Sequence, residues 1–316
     1  MEALGNEAAR LHHEKKMKAP RGNFACAALL AFVLPAQADP KWLLPDGIKS
    51  VEVNGYEMAY QEMGSGVPLV LVHGAMNDYR SWSQLVPVFA KKYRVFAVSL
   101  RHYFPERWDG AGDDFSIEQH IEDVPEFIRK MNLGKVHLLG HSRGGAVALN
   151  VAKRNPELIR TLILEDASGL EALLPESPES QRLAAEALAN REALAKAIAA
   201  GEIDRGVQAW FDSLNGSGTW SRLAVERKRI ILDNLRTALK LERRPVTTCE
   251  EIARLDFPVL LLNGERSPPR YPAMFAAMRK CKELAAPIVI PNGAHGMHRE
   301  NPIAFEAAVM DFLARN

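Results

Sequence analysis

Short, unbroken apolar runs alternate along most of this chain with segments whose apolar residues recur every three or four positions. Pro68–Val72 (PLVLV), Arg94–Leu100, Val136–Leu139 and Thr161–Leu164 are the first four runs. Each is short and apolar throughout, the pattern of a strand buried on both faces. Between them, Trp82–Lys91 has helical spacing. Ser116–Met131 places Ile117, Ile121, Val124 and Ile128 on one stripe behind a Ser cap, and Arg143–Arg154 reads as an Ala/Gly-rich helix. Before them, alternation around Asn54-Gly55 predicts a hairpin. After about Leu170 the strand pattern stops, and up to Glu250 the chain is rich in Ala, Leu, Glu and Arg, which predicts several helices. Pro258–Leu262 and Pro287–Ile290 then resume the strand pattern around a helix near Pro272–Lys280, and Ala304–Ala314 predicts a closing helix. This alternation predicts an α/β fold, a mostly parallel sheet covered by helices on both faces. The expected organisation is a core of residues 39–169 and 251–316, interrupted by a helical cap over 170–250.

The first forty residues differ from the rest. Lys15, Lys16, Lys18 and Arg21 precede an apolar run, Phe24–Leu34, and Ala36-Gln37-Ala38 supplies the small residues that a signal peptidase needs. This layout predicts a secretory signal over residues 1–38, cleaved after Ala38, with Met17 as a more compact start. The run is too short for a permanent span, so no membrane anchor is expected in the mature chain. The expected destination is exported, periplasmic or secreted. In an oxidising compartment Cys249 and Cys281 either pair or stay as separate thiols.

Composition is that of a globular protein, 47% hydrophobic and 25% charged, with a net charge of +1. Near-neutral charge argues against nucleic acid as a partner. No Cys/His spacing suggests a metal site. Oligomeric state is not legible.

The chemistry concentrates where predicted strands end. Gly140-His141-Ser142-Arg143-Gly144 lies between a buried strand and a helix, the context that gives G-x-S-x-G its meaning as a nucleophile elbow. Ser142 is the candidate nucleophile. His295 follows the last strand, on the edge of the sheet that carries Ser142, and is the candidate base, with His298 as its nearest competitor. His73-Gly74-Ala75-Met76 ends the first buried strand. The amide of Ala75, or of Met76, is a candidate oxyanion donor, with that of Arg143 as the second. Arg143 either steers an acidic substrate or pairs with a nearby carboxylate. Arg101-His102-Tyr103 faces the same region, and Trp82, Trp210, Phe211 and Trp220 either wall an apolar pocket or belong to the core.

With these motifs the chain resembles the α/β-hydrolase superfamily in its helical-cap branch, over nearly all of residues 50–316. It is similar to bacterial esterase and carbon–carbon-bond hydrolase relatives that share His-Gly-x-x, G-x-S-x-G and a terminal Gly-x-His-x-x-x-x-Glu-x-Pro. Here the last is Ala294-His295-Gly296-Met297-His298-Arg299-Glu300-Asn301-Pro302, with Ala294 in place of a glycine. Its His-to-Glu spacing supports His295 over His298. The resemblance implies a Ser-His-acid triad that cleaves a small-molecule ester or lactone without cofactor or metal. Carbon–carbon-bond cleavage, a cofactor-free haloperoxidase-like activity and a low-turnover binding protein are the alternatives. One departure matters most. Where such relatives commonly carry Asp, after Asn263-Gly264-Glu265-Arg266, this chain has Ser267. Two other carboxylates are open as the acid: Asp166, at the end of the strand after the nucleophile helix, and Glu265.

Overall fold

The computed structural model describes residues 44–240 and 244–316. The signal-like segment and its Ala36-Gln37-Ala38 site lie outside these residues. Among the described residues, eight strands form one sheet: β1 (Ile48–Val53), β2 (Tyr56–Met63), β3 (Pro68–Val72), β4 (Arg94–Val98), β5 (Val136–His141), β6 (Ile159–Glu165), β7 (Val259–Gly264) and β8 (Ile288–Ile290). Their spatial order is β1-β2-β4-β3-β5-β6-β7-β8. The first two pairings, β1 with β2 and β2 with β4, are antiparallel, and every later one is parallel. The β1–β2 hairpin turns at Asn54 and Gly55, both in the left-handed region (φ 49° and 74°), which Asn and Gly tolerate best.

Eleven α-helices are present among the described residues: α1 (Val86–Phe89), α2 (Ile117–Lys130), α3 (Arg143–Arg154), α4 (Pro178–Ala199), α5 (Ile203–Asn215), α6 (Thr219–Arg222), α7 (Val225–Asp233), α8 (Cys249–Ala253), α9 (Arg270–Cys281), α10 (Met297–Glu300) and α11 (Pro302–Ala314). The Ser116 side chain caps α2 by accepting from the Gln119 amide, which satisfies one of the open N–H groups of the first turn.

Strand alternation divides the core between the two faces of the sheet. Val70, Val72, Leu138, Leu162 and Leu164 pack with α2, α3 and α9. Leu69, Leu71, Leu139, Ile163 and Leu262 pack with α1 and α11. Each such fully buried side chain contributes roughly 1.5–3 kcal/mol over its exposed state. Between β6 and β7, helices α4–α7 share a smaller cluster in which Leu194, Val207, Phe211 and Trp220 close over Met76.

Two expectations are corrected. Trp82–Lys91 does not form one helix. It splits into a 3-10 turn at Tyr79–Trp82 and the single turn α1, because Pro87 sets the start of a new turn. Pro287–Ile290 is not buried on both faces, since β8 is the sheet edge and leaves Val289 57% exposed. Cys249, opening α8, and Cys281, closing α9, are joined in a disulfide.

Candidate active site

All the chemical residues sit at the carboxyl ends of parallel strands, where an open sheet leaves a crevice. Ser142 follows β5 directly and caps α3, with φ 53° and ψ −116°. A non-glycine residue held there is strained, and the surroundings enforce it. A Cβ on Gly140 would lie 2.4 Å from the Gly144 carbonyl oxygen, and a Cβ on Gly144 would lie 2.3 Å from the carbonyl oxygens of Val72 and His73. The two glycines therefore allow β5, α3 and β3 to approach closely enough to form the sharp turn. The Ser142 amide donates to the Glu165 carbonyl at 2.9 Å, which fixes the turn against β6.

Asp166 follows β6 directly, also at positive φ (39°), and is fully buried. Its Oδ2 lies 3.0 Å from His295 Nδ1. The Asn263 amide donates to Oδ1 at 2.7 Å, and the Ser267 hydroxyl donates to Oδ2 at 2.6 Å. Burial pushes the Asp166 carboxyl up, and these two donors pull against it. Ser267, after β7, thus supports a carboxylate that comes from the end of the neighbouring strand, β6. Glu265 does not reach His295. It is exposed, and its Oε2 accepts from the Asn292 amide at 2.8 Å.

His295 is buried, and burial holds its imidazole well below the ordinary histidine value, with the Arg270 charge acting in the same direction. It is therefore neutral at pH 7. The Tyr271 ring stacks on it at 4.4 Å, and the Tyr271 hydroxyl lies 3.3 Å from Nε2. His141, next to Ser142, points backwards, with Nε2 2.8 Å from the His295 carbonyl oxygen. His298 is taken by other partners: Nδ1 lies 2.6 Å from Glu165 Oε1, and Nε2 accepts from Arg299 at 2.6 Å. Of the two histidines, His295 is the one on the Asp166 carboxylate.

Ser142 faces two cavities. One, of about 220 Å³, is lined by Ala75, Met76, Tyr103, Ser142, Arg143 and Tyr271, together with residues of α4 and α5. A small one, of about 20 Å³, is lined by Ala75, Ser142, His141 and His295. Ala75 and Ser142 therefore share both spaces. Met76 also has a positive φ (52°), and its side chain packs beneath α4 and α5. Arg143 is buried, with Nη1 2.7 Å from His120 Nδ1 and its guanidinium over the Phe115 ring. Of the Arg101-His102-Tyr103 stretch only Tyr103 reaches the larger cavity. Arg101 is held by Asp123 and Asp114, and His102 by Glu106 and Asp114. Among the tryptophans, Trp210 lines both cavities, Trp220 packs on Phe211, and Trp82 lies in the core against His298.

Among the described residues, one buried group offers metal-type donors. His141, Glu165 and His298 each place one within 4.8 Å of the others. They fit a cation poorly. Both His298 nitrogens are engaged, one of them by the Arg299 guanidinium, whose charge would face the ion. Burial pushes Glu165 well above the usual carboxylate range, and its Oε1 anchors the His298 side chain.

Known proteins resemble this chain in sequence and in fold. The model of the alpha/beta hydrolase family covers residues 69–308. The chain belongs to the alpha/beta hydrolase family. A 2-hydroxy-6-oxo-6-(2'-aminophenyl)hexa-2,4-dienoic acid hydrolase from Metapseudomonas resinovorans is 32% identical over 38% of this chain and 42% of its own length, so that match spans less than half of the relative. An (E)-2-((N-methylformamido)methylene)succinate hydrolase from Acinetobacter baylyi is 26% identical over 80% of this chain and 93% of its own. Among solved structures, a carboxylesterase from Bacillus subtilis superposes with a TM-score of 0.69 at 18% identity, over 87% of this chain and 94% of that one. At such identity the likeness shows the alpha/beta hydrolase fold.

Several site residues carry no signal in the sequence. Tyr271 lies inside a helix, with no motif to mark its stacking on His295. Asn263 ends a buried strand and reads as part of it. Glu165 is adjacent to Asp166, and only the pleat, which turns successive side chains to opposite faces, separates their roles. Ser267 is visible in the sequence, but as a missing acid.

Proposed function

We propose that this alpha/beta hydrolase cleaves a carboxylic ester or lactone through an acyl-enzyme on Ser142. The observation that carries the reading is the 3.0 Å contact of His295 Nδ1 with a buried Asp166 carboxylate, beside a serine held at positive φ on the elbow. In this reading the Asp166 carboxylate accepts the Nδ1–H of His295 and leaves the lone pair on Nε2. Nε2 takes the Ser142 proton as Oγ attacks the carbonyl carbon. The amides of Ala75 and Arg143 receive the oxyanion, the Arg143 amide at the positive end of α3. Collapse expels the alcohol, which takes the proton back from His295. Water then repeats the sequence: His295 accepts its proton, the hydroxide oxygen attacks the acyl carbon, and Ser142 leaves reprotonated. No cofactor or metal takes part in these steps.

A serine favours acyl chemistry over epoxide opening. A serine that opened an epoxide would become an alkyl ether, which has no carbonyl for water to attack. Carbon–carbon cleavage uses the same first step, and its products distinguish it from ester hydrolysis. The test is turnover of p-nitrophenyl esters by the purified chain and by Ser142→Ala. The expected result is activity that falls by about 10³-fold or more in the variant. Ester turnover that survives in Ser142→Ala overturns the reading.

The protein is further proposed to act after export. The Cys249–Cys281 disulfide supports this, because such bonds persist in oxidising compartments. Protein recovered outside the cytoplasm is expected to begin at Asp39. Retention of residues 1–38 in that fraction would contradict cleavage.

A further inference from the structure

The larger cavity beside Ser142 is unequal in charge. Among the described residues, five cationic side chains line it, Arg143, Arg191, Lys240, Arg244 and Arg270, against one carboxylate, Glu171. The chain as a whole is nearly neutral, so this excess is local. Arg244 pairs with Glu171 at 2.8 Å and accounts for that carboxylate. Arg143 is buried, and the other four cations are half-buried. Charges so placed act through a lower effective dielectric than charges on an open surface.

Two of the five are the most telling. Arg270 directs Nη2 to the Tyr271 hydroxyl at 2.8 Å and lies over that ring, and Tyr271 in turn stacks on His295. Lys240 donates to the Gly112 carbonyl at 3.1 Å and lies near the Trp108 ring. Among the described residues, the hydrogen-bond partners of both are neutral. Packing alone does not require charge at either place, since a neutral side chain of similar length makes the same contacts. Arg270 is also close enough to the Asp166–His295 pair for its charge to act on both groups.

We infer that the substrate of this cavity is anionic, an ester that carries an ionised carboxylate apart from the bond to be cleaved, held by the cationic lining with Arg270 and Lys240 as its principal partners. The inference rests on the reading of Ser142 as the residue that meets an ester, and it adds the class of acyl or alcohol group. A cationic cleft also raises the local concentration of such a substrate, and salt weakens that effect.

Binding tests this separately from catalysis. Ser142→Ala protein is titrated calorimetrically with mono-p-nitrophenyl succinate and with its methyl ester, a neutral compound of nearly the same shape. The acid is expected to bind about tenfold tighter at low ionic strength, with the gap narrowing as salt is added. Arg270→Gln and Lys240→Gln are expected to narrow the gap, and Arg270→Lys to keep most of it. If Ser142→Ala does not fold, the wild-type chain titrated with the corresponding half-amide of succinate and with succinamide gives the same comparison without turnover. Equal or tighter binding of the neutral compound overturns the inference. So does a preference for the acid that neither Gln variant reduces. Failure of the ester-hydrolase reading is a different result: neither ester is turned over by the wild-type chain, whichever binds better.

Discussion

The carboxylate on His295 Nδ1 is that of Asp166, directly after β6, and not one from the segment after β7. β6 and β7 are hydrogen-bonded neighbours, so their carboxyl ends are adjacent, and the Asp166 amide donates to the Leu262 carbonyl at 3.0 Å. Asp166, after β6, and Ser267, after β7, therefore meet beside His295. Ser267 has a task suited to a short hydroxyl: it donates to the Asp166 carboxylate. The prediction at this scale is that Asp166→Asn lowers kcat for ester turnover by about 10³–10⁴-fold with little change in KM, because an amide does not stabilise the imidazolium that forms. Glu265→Gln is expected to stay within about twofold of the wild type. Steady-state kinetics of the two variants decide between the carboxylates, and the reverse ranking would contradict the assignment.

At the scale of elements, legibility followed how much of the signal was local. The elbow was readable because its glycines answer a local need: the turn between β5 and α3 leaves no room for a Cβ at Gly140 or Gly144. Buried strands were readable because continuous apolar runs have few other uses. Trp82–Lys91 misled because its apolar spacing comes from side chains that pack beneath the sheet from two short turns, Trp82, Val86 and Phe89 all lying in one cluster. For the acid, the sequence offered two carboxylates, and only the pairing of β6 with β7 distinguishes them. Tyr271 was not legible at all, since its proximity to His295 depends on how α9 sits against the loop after β8. The cationic lining was equally hidden, because Arg143, Arg191, Lys240 and Arg270 are far apart in the chain and the cavity alone unites them.

At the scale of the whole molecule, buried histidines set a pH limit. His73, His120, His137 and His141 are buried, and among the described residues none hydrogen bonds a carboxylate. Burial holds His73 and His137 down to about 4, and His120 and His141 well below the ordinary value. In the unfolded chain each titrates near about 6.5. Below that pH the unfolded chain binds protons that the fold excludes, so stability is full above it and is lost as pH falls toward 4. His102, raised by its contacts with Glu106 and Asp114, acts in the opposite sense but as one group against four. The melting temperature is expected to drop steadily between about pH 6.5 and pH 4. A profile that is flat over that range would contradict this account of the buried histidines. The export proposed for the chain belongs to the same scale, since the disulfide between α8 and α9 ties the return from the helical segment to the core.

The central claim is that Ser142, activated by His295, forms a covalent acyl intermediate. Its most direct test is mass spectrometry of the purified chain after reaction with a fluorophosphonate, which labels only an activated serine, followed by peptide mapping. The account predicts one adduct per chain, located on Ser142, and loss of labelling in His295→Ala. An unlabelled protein, or an adduct on any other residue, would contradict it.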